Sequence, residues 1–180
     1  VGSEMCIRDR LRGAEVTLVM GKCDSEPPVF ANTVKVQSAK DMYDAVIERA
    51  DSMDIIVKAA AVADYRPKNV SSEKVKKQDG NMSIELERTD DILKTLGERK
   101  NGQFICGFSM ETENMLENSR KKLEKKNCDM IVANNLKQDG AGFGGNTNIV
   151  TLITKDDEVQ LEKMTKDEVA EKIFDFILSR

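Results

Sequence analysis

The chain has 180 residues, 39% of them apolar and 33% charged, which is enough apolar material for a packed domain and excludes wholesale disorder. With 28 Lys+Arg against 32 Asp+Glu, the net charge is -4 and the pI near 5.1, which argues against a dedicated nucleic-acid coat protein while leaving room for a local basic face. It contains no histidine, so Ser-His-Asp and Cys-His catalysis, His-ligated zinc and imidazole acid–base chemistry are excluded.

The first ten residues, VGSEMCIRDR, carry neither a helical nor a strand period. They resemble translated sequencing-adapter read-through, and we expect residues 1–10 to be a non-native segment. The expected domain is 11–180, beginning near Leu11 and lacking an upstream strand and helix. Leu11–Gly13 reads as the last turn of a helix with Gly13 as its C′ residue, for which the charged decapeptide is a poor helical body. Glu15–Met20 follows as a short apolar strand, and Thr33–Gln37 alternates like a half-buried one. Ser38 caps a helix over Ala39–Ala50, with Met42, Ala45, Val46 and Arg49 at helical spacing. Asp54–Ala61 (DIIVKAAA) reads as a strand buried on both faces.

Between Glu73 and Arg88, the alternating segments EKVKK and MSIELER flank Asp79-Gly80, a hairpin signal outside the main sheet. Thr89 or Asp90 is expected to cap a helix running through Lys100. Gln103–Phe108 is a buried strand, Glu113–Asn127 a charged helix resting on Met115, Leu116 and Leu123, and Asp129–Ala133 the next strand. Asn134–Asn146 is a Gly-rich loop. Asn148–Thr154 and Glu158–Lys163 form a strand pair. Thr165 caps the final helix, Lys166–Leu178, which faces Val169, Ile173, Phe176 and Ile177 inward. Strands alternating with helices predict right-handed crossovers, a three-layer α/β fold and ligands at the carboxyl ends of the strands. The apolar runs are too short to cross a bilayer, and the N-terminus has no apolar signal core. Cys6, Cys23, Cys106 and Cys128 are too widely spaced for a zinc ribbon or CxxC motif; Cys106 and Cys128 read as buried thiols, and a reducing cytoplasm is the simplest setting.

The segment Lys58–Lys68 (KAAAVADYRPK) is the richest in chemistry. Small alanines at a strand end let a planar ligand approach the backbone; Asp64 can accept from ribose hydroxyls or an exocyclic amine, and Arg66 can hold an anion. A packed strand end with a solvated Asp–Arg pair accounts for the same residues. Lys74 is a candidate phosphate cation, although a charged edge that resists aggregation is the plainer account. Lys122 and Lys126, four residues apart on one helix, can reach a single anion, although a solvated face is the plainer account. Asp64, Asp90, Asp91 and Glu111 can help hold Mg²⁺ on a triphosphate. The run GAGFGGN lacks the context of a dinucleotide fingerprint, and no GxxxxGK[ST] occurs.

These stretches resemble the bacterial phosphopantothenate–cysteine ligase family. GAEVTLVMG, KAAAVADYRPK, EKVKK, DDIL, FICGFSMET, KKLEKKNCDMIVAN and NIVTLIT occur in that family's order and together cover nearly all of 11–180. The resemblance implies a Rossmann-like, mostly parallel sheet with a protruding β-hairpin dimerisation flap, in a homodimer. It implies CTP, with Mg²⁺, as the activating substrate for 4′-phosphopantothenate, and L-cysteine as the acceptor. It places Lys58, Ala59, Ala60 and Asp64 at the nucleotide, Asp90, Asp91, Ile92, Leu93 and Phe108 around cytosine and ribose, Lys122 and Lys126 completing the site, and Lys74 in the activation chemistry. A flavin-dependent decarboxylase domain is a possible upstream fusion partner. Two departures stand out: Thr89-Asp90 replaces the family's Asn-Pro, and the family's opening strand, Gly-rich turn and following helix start have no counterpart. The fragment is therefore expected to be poorly active alone. The rival expectations are an NAD(P) oxidoreductase with a Rossmann sheet and a non-catalytic nucleotide-binding module.

Overall fold

A computed structural model describes every residue except 1, 24, 25, 72, 77–79, 112, 113 and 136–144, with the side chains of 2, 3, 111 and 135 also left aside. The elements are α1 (Gly2–Leu11), β1 (Thr17–Met20), β2 (Asn32–Lys35), α2 (Ala39–Arg49), β3 (Ile55–Lys58), β4 (Tyr65–Pro67), β5 (Leu86–Arg88), α3 (Ile92–Arg99), β6 (Phe104–Glu111), α4 (Met115–Lys125), β7 (Met130–Asn135), β8 (Thr147–Asn148), β9 (Val150–Ile153), β10 (Glu158–Gln160), β11 (Met164–Thr165) and α5 (Lys166–Leu178).

The main sheet has the order β10-β9-β7-β6-β3, and β1-β2 forms a separate parallel pair. β3, β6 and β7 are parallel; β9 and β10 extend the sheet antiparallel. Strand alternation divides the core into two layers. Met130 and Val132 of β7, Cys106 of β6 and Val150 and Leu152 of β9 face α5, where Val169, Ile173 and Phe174 are buried. Ile131 and Ala133, with Ile105 and Ile153, face the opposite way, toward Ile92, Leu93 and Leu96 of α3 and Leu123 of α4. The expected three-layer α/β architecture is therefore present, with α1 and α5 on one face and α2, α3 and α4 on the other.

Local chemistry explains most boundaries. Ser38 and Asp41 form a reciprocal capping box at α2, and Thr165 and Glu168 form one at α5. Asp91, rather than Thr89 or Asp90, caps α3: its side chain accepts from the Lys94 N–H at 2.9 Å. The hydroxyl of Thr89 instead donates to the Ala63 carbonyl at 2.6 Å.

Several expectations need correction. The decapeptide is not a poor helical body: α1 forms over it, burying Met5 and Cys6, while Arg8 and Arg12 pair with Asp167, Glu171 and Asp175 on α5. Tertiary packing and ion pairing overcome the weak local period. Gly13 closes α1 as expected: at φ +90 its N–H bonds Arg10 while the Ala14 N–H bonds Asp9. The strand at Asp54–Ala61 is shorter and not doubly buried; Ile55–Lys58 are half-buried and Ala59–Ala61 exposed, because among the described residues β3 has a strand on one side only. The described part of EKVKK, Glu73–Lys76, does not pair with MSIELER. Leu86–Arg88 pairs antiparallel with Tyr65–Pro67, and Glu73–Lys76 carry no strand. Asp79 of the expected turn lies outside the described residues, as does most of the Gly-rich loop. Leu116 is exposed, and Ser119 takes its place facing the sheet. Phe174 is the fully buried aromatic of α5, and Phe176, as expected, packs half-buried against the same core.

At Gly97, α3 meets the end of α4 so closely that a Cβ there would lie 1.8 Å from the Lys126 carbonyl oxygen. The Asn127 side-chain amide donates to the Gly97 carbonyl at 2.8 Å and fastens the same contact. Gly97→Ala is expected to destabilise the chain by about 1–3 kcal/mol through overpacking, measured by urea unfolding. A second expectation concerns Asp9, whose carboxyl is pushed up to about 7 by burial against the pull of Arg12. Between the unperturbed 3.8 and about 7, the folded chain holds a proton that the unfolded chain has released, so stability falls as pH rises across that window. Asp9→Asn should flatten that part of the stability–pH profile, seen by unfolding at pH 5 and pH 8.

Candidate functional site

The carboxyl end of β3 lies beside the middle of β6, because Lys58 pairs with Gly107 in register while β6 runs on to Glu111. At Gly107 the packing is tight: a Cβ would come within 2.8 Å of Leu93 Cδ2 and 3.0 Å of Ile131 Cδ1, so those side chains would have to shift. β3 therefore delivers Lys58 to this end, α3 opens here with Asp91 at its N-cap, and α4 delivers Lys122 and Lys126 from its last turns.

Four of these groups form a charged cluster. Lys122 Nζ donates to the Phe108 carbonyl at 2.8 Å, Lys58 Nζ donates to the Ala60 carbonyl at 2.9 Å, and Lys126 is ion-paired with Asp91. Burial, then the neighbouring Lys122 and Lys126 ammonium groups, hold the Lys58 ammonium below the ordinary lysine range against the pull of Asp91 and Asp64. Burial raises the Asp91 pKa, but the Lys126 and Lys94 N–H groups outweigh it and leave the carboxyl below the usual range. Three ammonium groups face two carboxylates, leaving net positive charge at a strand end where Ala59, Ala60 and Ala61 are open to solvent. Such a cluster can bind an anion by charge-assisted hydrogen bonds.

The other anticipated residues fall into distinct places. Asp64 is exposed on the loop after β3, with its carbonyl held by the Thr89 N–H at 3.0 Å. Asp90 is exposed and acts electrostatically on Lys40 of α2. Ile92 and Leu93 are buried in the core, so α3 offers a ligand the backbone of its first turn there rather than those side chains. Phe108 is half-buried against the α5 layer and reaches the cluster through its carbonyl. Lys74 is exposed on the connection between β4 and β5 and is not among the charged groups acting on Lys58. The Glu111 side chain lies outside the described residues. Among the described residues no group of three or more acidic or cysteine side chains could cage a metal.

Asp91 as the partner of Lys126, and Thr89 as the pin of the Asp64 loop, were not singled out from sequence. The signal for the first was present: an Asp immediately before an apolar Ile-Leu pair is an N-cap pattern. The hydroxyl contact of Thr89 depends on tertiary geometry.

A three-layer α/β sheet with converging ammonium groups at a strand end is an arrangement able to hold an anion. The chain belongs to the DNA/pantothenate metabolism flavoprotein C-terminal domain family, which it matches over residues 1–180. It is 52% identical over 145 residues to the coenzyme A biosynthesis bifunctional protein CoaBC of Bacillus subtilis, covering 80% of this chain and 36% of that protein. It is 44% identical over 170 residues to a cysteine/cysteine sulfinic acid decarboxylase of an unknown prokaryotic organism, covering 93% of this chain and 47% of that one. The chain thus spans less than half the length of these curated relatives. Among solved structures, the C-terminal domain of a CoaBC superposes with a TM-score of 0.82 at 44% identity, over 98% of this chain and 79% of that one.

The depressed Lys58 predicts a pH signature. Affinity for inorganic pyrophosphate should fall as pH rises toward the lysine range, beginning below the unperturbed 10.5, as Lys58 loses its proton before an ordinary lysine would. Lys58→Arg should move that loss upward, and Lys58→Ala should weaken binding about tenfold at pH 7. Calorimetric titration between pH 7 and pH 10 measures both, and an affinity flat across that range would contradict the assignment.

Proposed function

We propose that this chain is the synthetase domain of a phosphopantothenate–cysteine ligase, acting with CTP in coenzyme A biosynthesis. The observation that carries this reading is the convergence of Lys58, Lys122 and Lys126 with Asp64 and Asp91 at the end of the alanine-rich strand. Membership of the flavoprotein C-terminal family and the likeness to CoaBC support the same assignment. In the proposed reaction a carboxylate oxygen of 4′-phosphopantothenate attacks the α-phosphorus of CTP. Its bond to the bridging oxygen breaks, and pyrophosphate leaves. The free amine of L-cysteine then attacks the acyl carbon of the cytidylate and expels CMP, losing its proton to solvent.

The principal barrier to the first step is repulsion between a carboxylate and a polyphosphate. Lys58, Lys122 and Lys126 would offset that charge at the nucleotide, and the open Ala59–Ala60 backbone would receive the base. Magnesium would enter on the triphosphate and withdraw charge from its oxygens. Nothing in this scheme needs imidazole.

Lys74 would complete the site from a second copy of the chain. The β4–β5 arm that carries it exposes Tyr65, Val70, Val75, Met82, Ile84 and Leu86, an apolar surface suited to burial in a homodimer. A flavin-dependent decarboxylase domain would precede this one in a longer polypeptide, in keeping with the two-function name of CoaBC. The buried thiols Cys6, Cys106 and Cys128 suit a reducing cytoplasm, and no helix among the described residues is long and apolar enough to cross a membrane.

CTP with Mg²⁺ is expected to raise the melting temperature of the chain and NADPH to leave it unchanged; stabilisation by NADPH alone would overturn the ligase reading in favour of an oxidoreductase. In a full-length form, Lys74→Ala should abolish CTP-dependent pyrophosphate release while preserving the fold by circular dichroism, and unchanged turnover would remove Lys74 from the chemistry.

A further inference from the structure

The two strands of the β4–β5 arm leave the end of β3 and return beside it at one point. Tyr65 pairs with Arg88 in register, and the pairing continues inward from there. The Thr89 N–H donates to the Asp64 carbonyl at 3.0 Å, and the Thr89 hydroxyl donates to the Ala63 carbonyl at 2.6 Å. The first bond is a further backbone rung, and the second is a side chain standing in for one. The ladder of the arm is thus carried into the loop that follows β3. Further out, Arg66 with Glu87 and Lys68 with Glu85, each at 2.7 Å, hold the same two strands together.

The loop is fastened differently at its two ends. Ala59, Ala60 and Ala61 are exposed and have no polar side chain. The near end is held by Lys58, whose Nζ donates to the Ala60 carbonyl at 2.9 Å, and by Val62, which packs half-buried against the core of Ile92, Leu93 and Leu96. Beyond Val62 lies the exposed Asp64, which acts electrostatically on Lys58. Thr89 holds this far end. It also stands just ahead of Asp90 and Asp91, and Asp91 caps α3 and pairs with Lys126. One residue therefore ties the loop, the arm and the start of α3 into a single frame beside the charged cluster.

We infer that, on the nucleotide reading above, Thr89 is a positioning residue: its hydroxyl holds the Ala63–Asp64 segment where the nucleoside meets it, while the lysines hold the phosphates without its help. The division follows from the fastenings. Lys122 is oriented by the Phe108 carbonyl, Lys126 by Asp91, and Lys58 by a carbonyl on the near side of Val62. None of these contacts involves the segment that Thr89 holds. Loss of the hydroxyl leaves the Ala63 carbonyl to water and lets Asp64 wander, so nucleoside binding must then carry the cost of ordering it.

Calorimetric titration of the chain with CTP plus Mg²⁺, and separately with inorganic pyrophosphate, tests this. Thr89→Val keeps the shape and the backbone N–H but removes the hydroxyl, and Thr89→Ala removes it without a branched side chain. Both should weaken CTP about fivefold and leave pyrophosphate within about twofold, and Thr89→Ser should recover the CTP affinity. Circular dichroism verifies that each variant is folded. A merely structural role would weaken the two ligands together. Lys58→Ala, which removes a phosphate cation, should weaken both. If Lys58→Ala does so while the hydroxyl-free variants keep full CTP affinity, or lose both ligands equally, the inference is overturned and the nucleotide reading stands. Failure of Thr89→Ser to recover CTP affinity would overturn it too. CTP binding absent from the unaltered chain, or untouched by Lys58→Ala, would overturn the nucleotide reading and the role of Thr89 with it.

Discussion

A strand in a parallel sheet must satisfy its backbone on both edges and bury its side chains on both faces, and the architecture of this chain follows from how far each strand meets that demand. β7 meets it fully: β6 and β9 flank it, and Met130, Ile131, Val132 and Ala133 are all completely buried. β3 meets it by half, and its side chains are correspondingly half-buried. Burial thus declines from the centre of the sheet toward the edge that carries Lys58, and the most charged part of the molecule sits where the sheet is least complete.

The same geometry sets the electrostatics. Helices α3 and α4 reach the cluster because they pack on the β6–β7 pair, and their mutual approach is fixed by Gly97 and Asn127. The ammonium groups are thereby held near one another although they repel, and the half-buried position of Lys58 makes that repulsion count. Two carbonyls and a carboxylate each take one N–H of these ammonium groups, which orders the cations and leaves further donors open.

Much of this was legible from residues alone because local and global signals agree along most of the chain. The capping boxes at Ser38 and Thr165, the apolar period of α5 and the runs at Ile105 and Ile131 each announce their element, and their alternation announces the layers. The strand end at Lys58 and the helical pair Lys122 and Lys126 could be anticipated as candidates on spacing and resemblance. What escaped depends on partners distant in sequence. α1 has no helical period of its own and exists by docking on α5. MSIELER alternates as a strand should, but nothing local specifies that its end pairs with Tyr65–Pro67 rather than EKVKK. The capping role of Asp91 over Asp90 turns on a single residue of register, the least secure part of any boundary.

The ion pair between Lys126 and Asp91 has a bearing on selectivity. An incoming anion meets an ammonium already neutralised by a carboxylate, and must either displace that carboxylate or accept its repulsion. A singly charged solute gains too little from the exchange, whereas a chain of phosphates can engage Lys58 and Lys122 at the same time and outbid the resident group. An anion entering here would therefore be sorted by valence before shape, and small singly charged ions such as chloride or acetate would compete poorly.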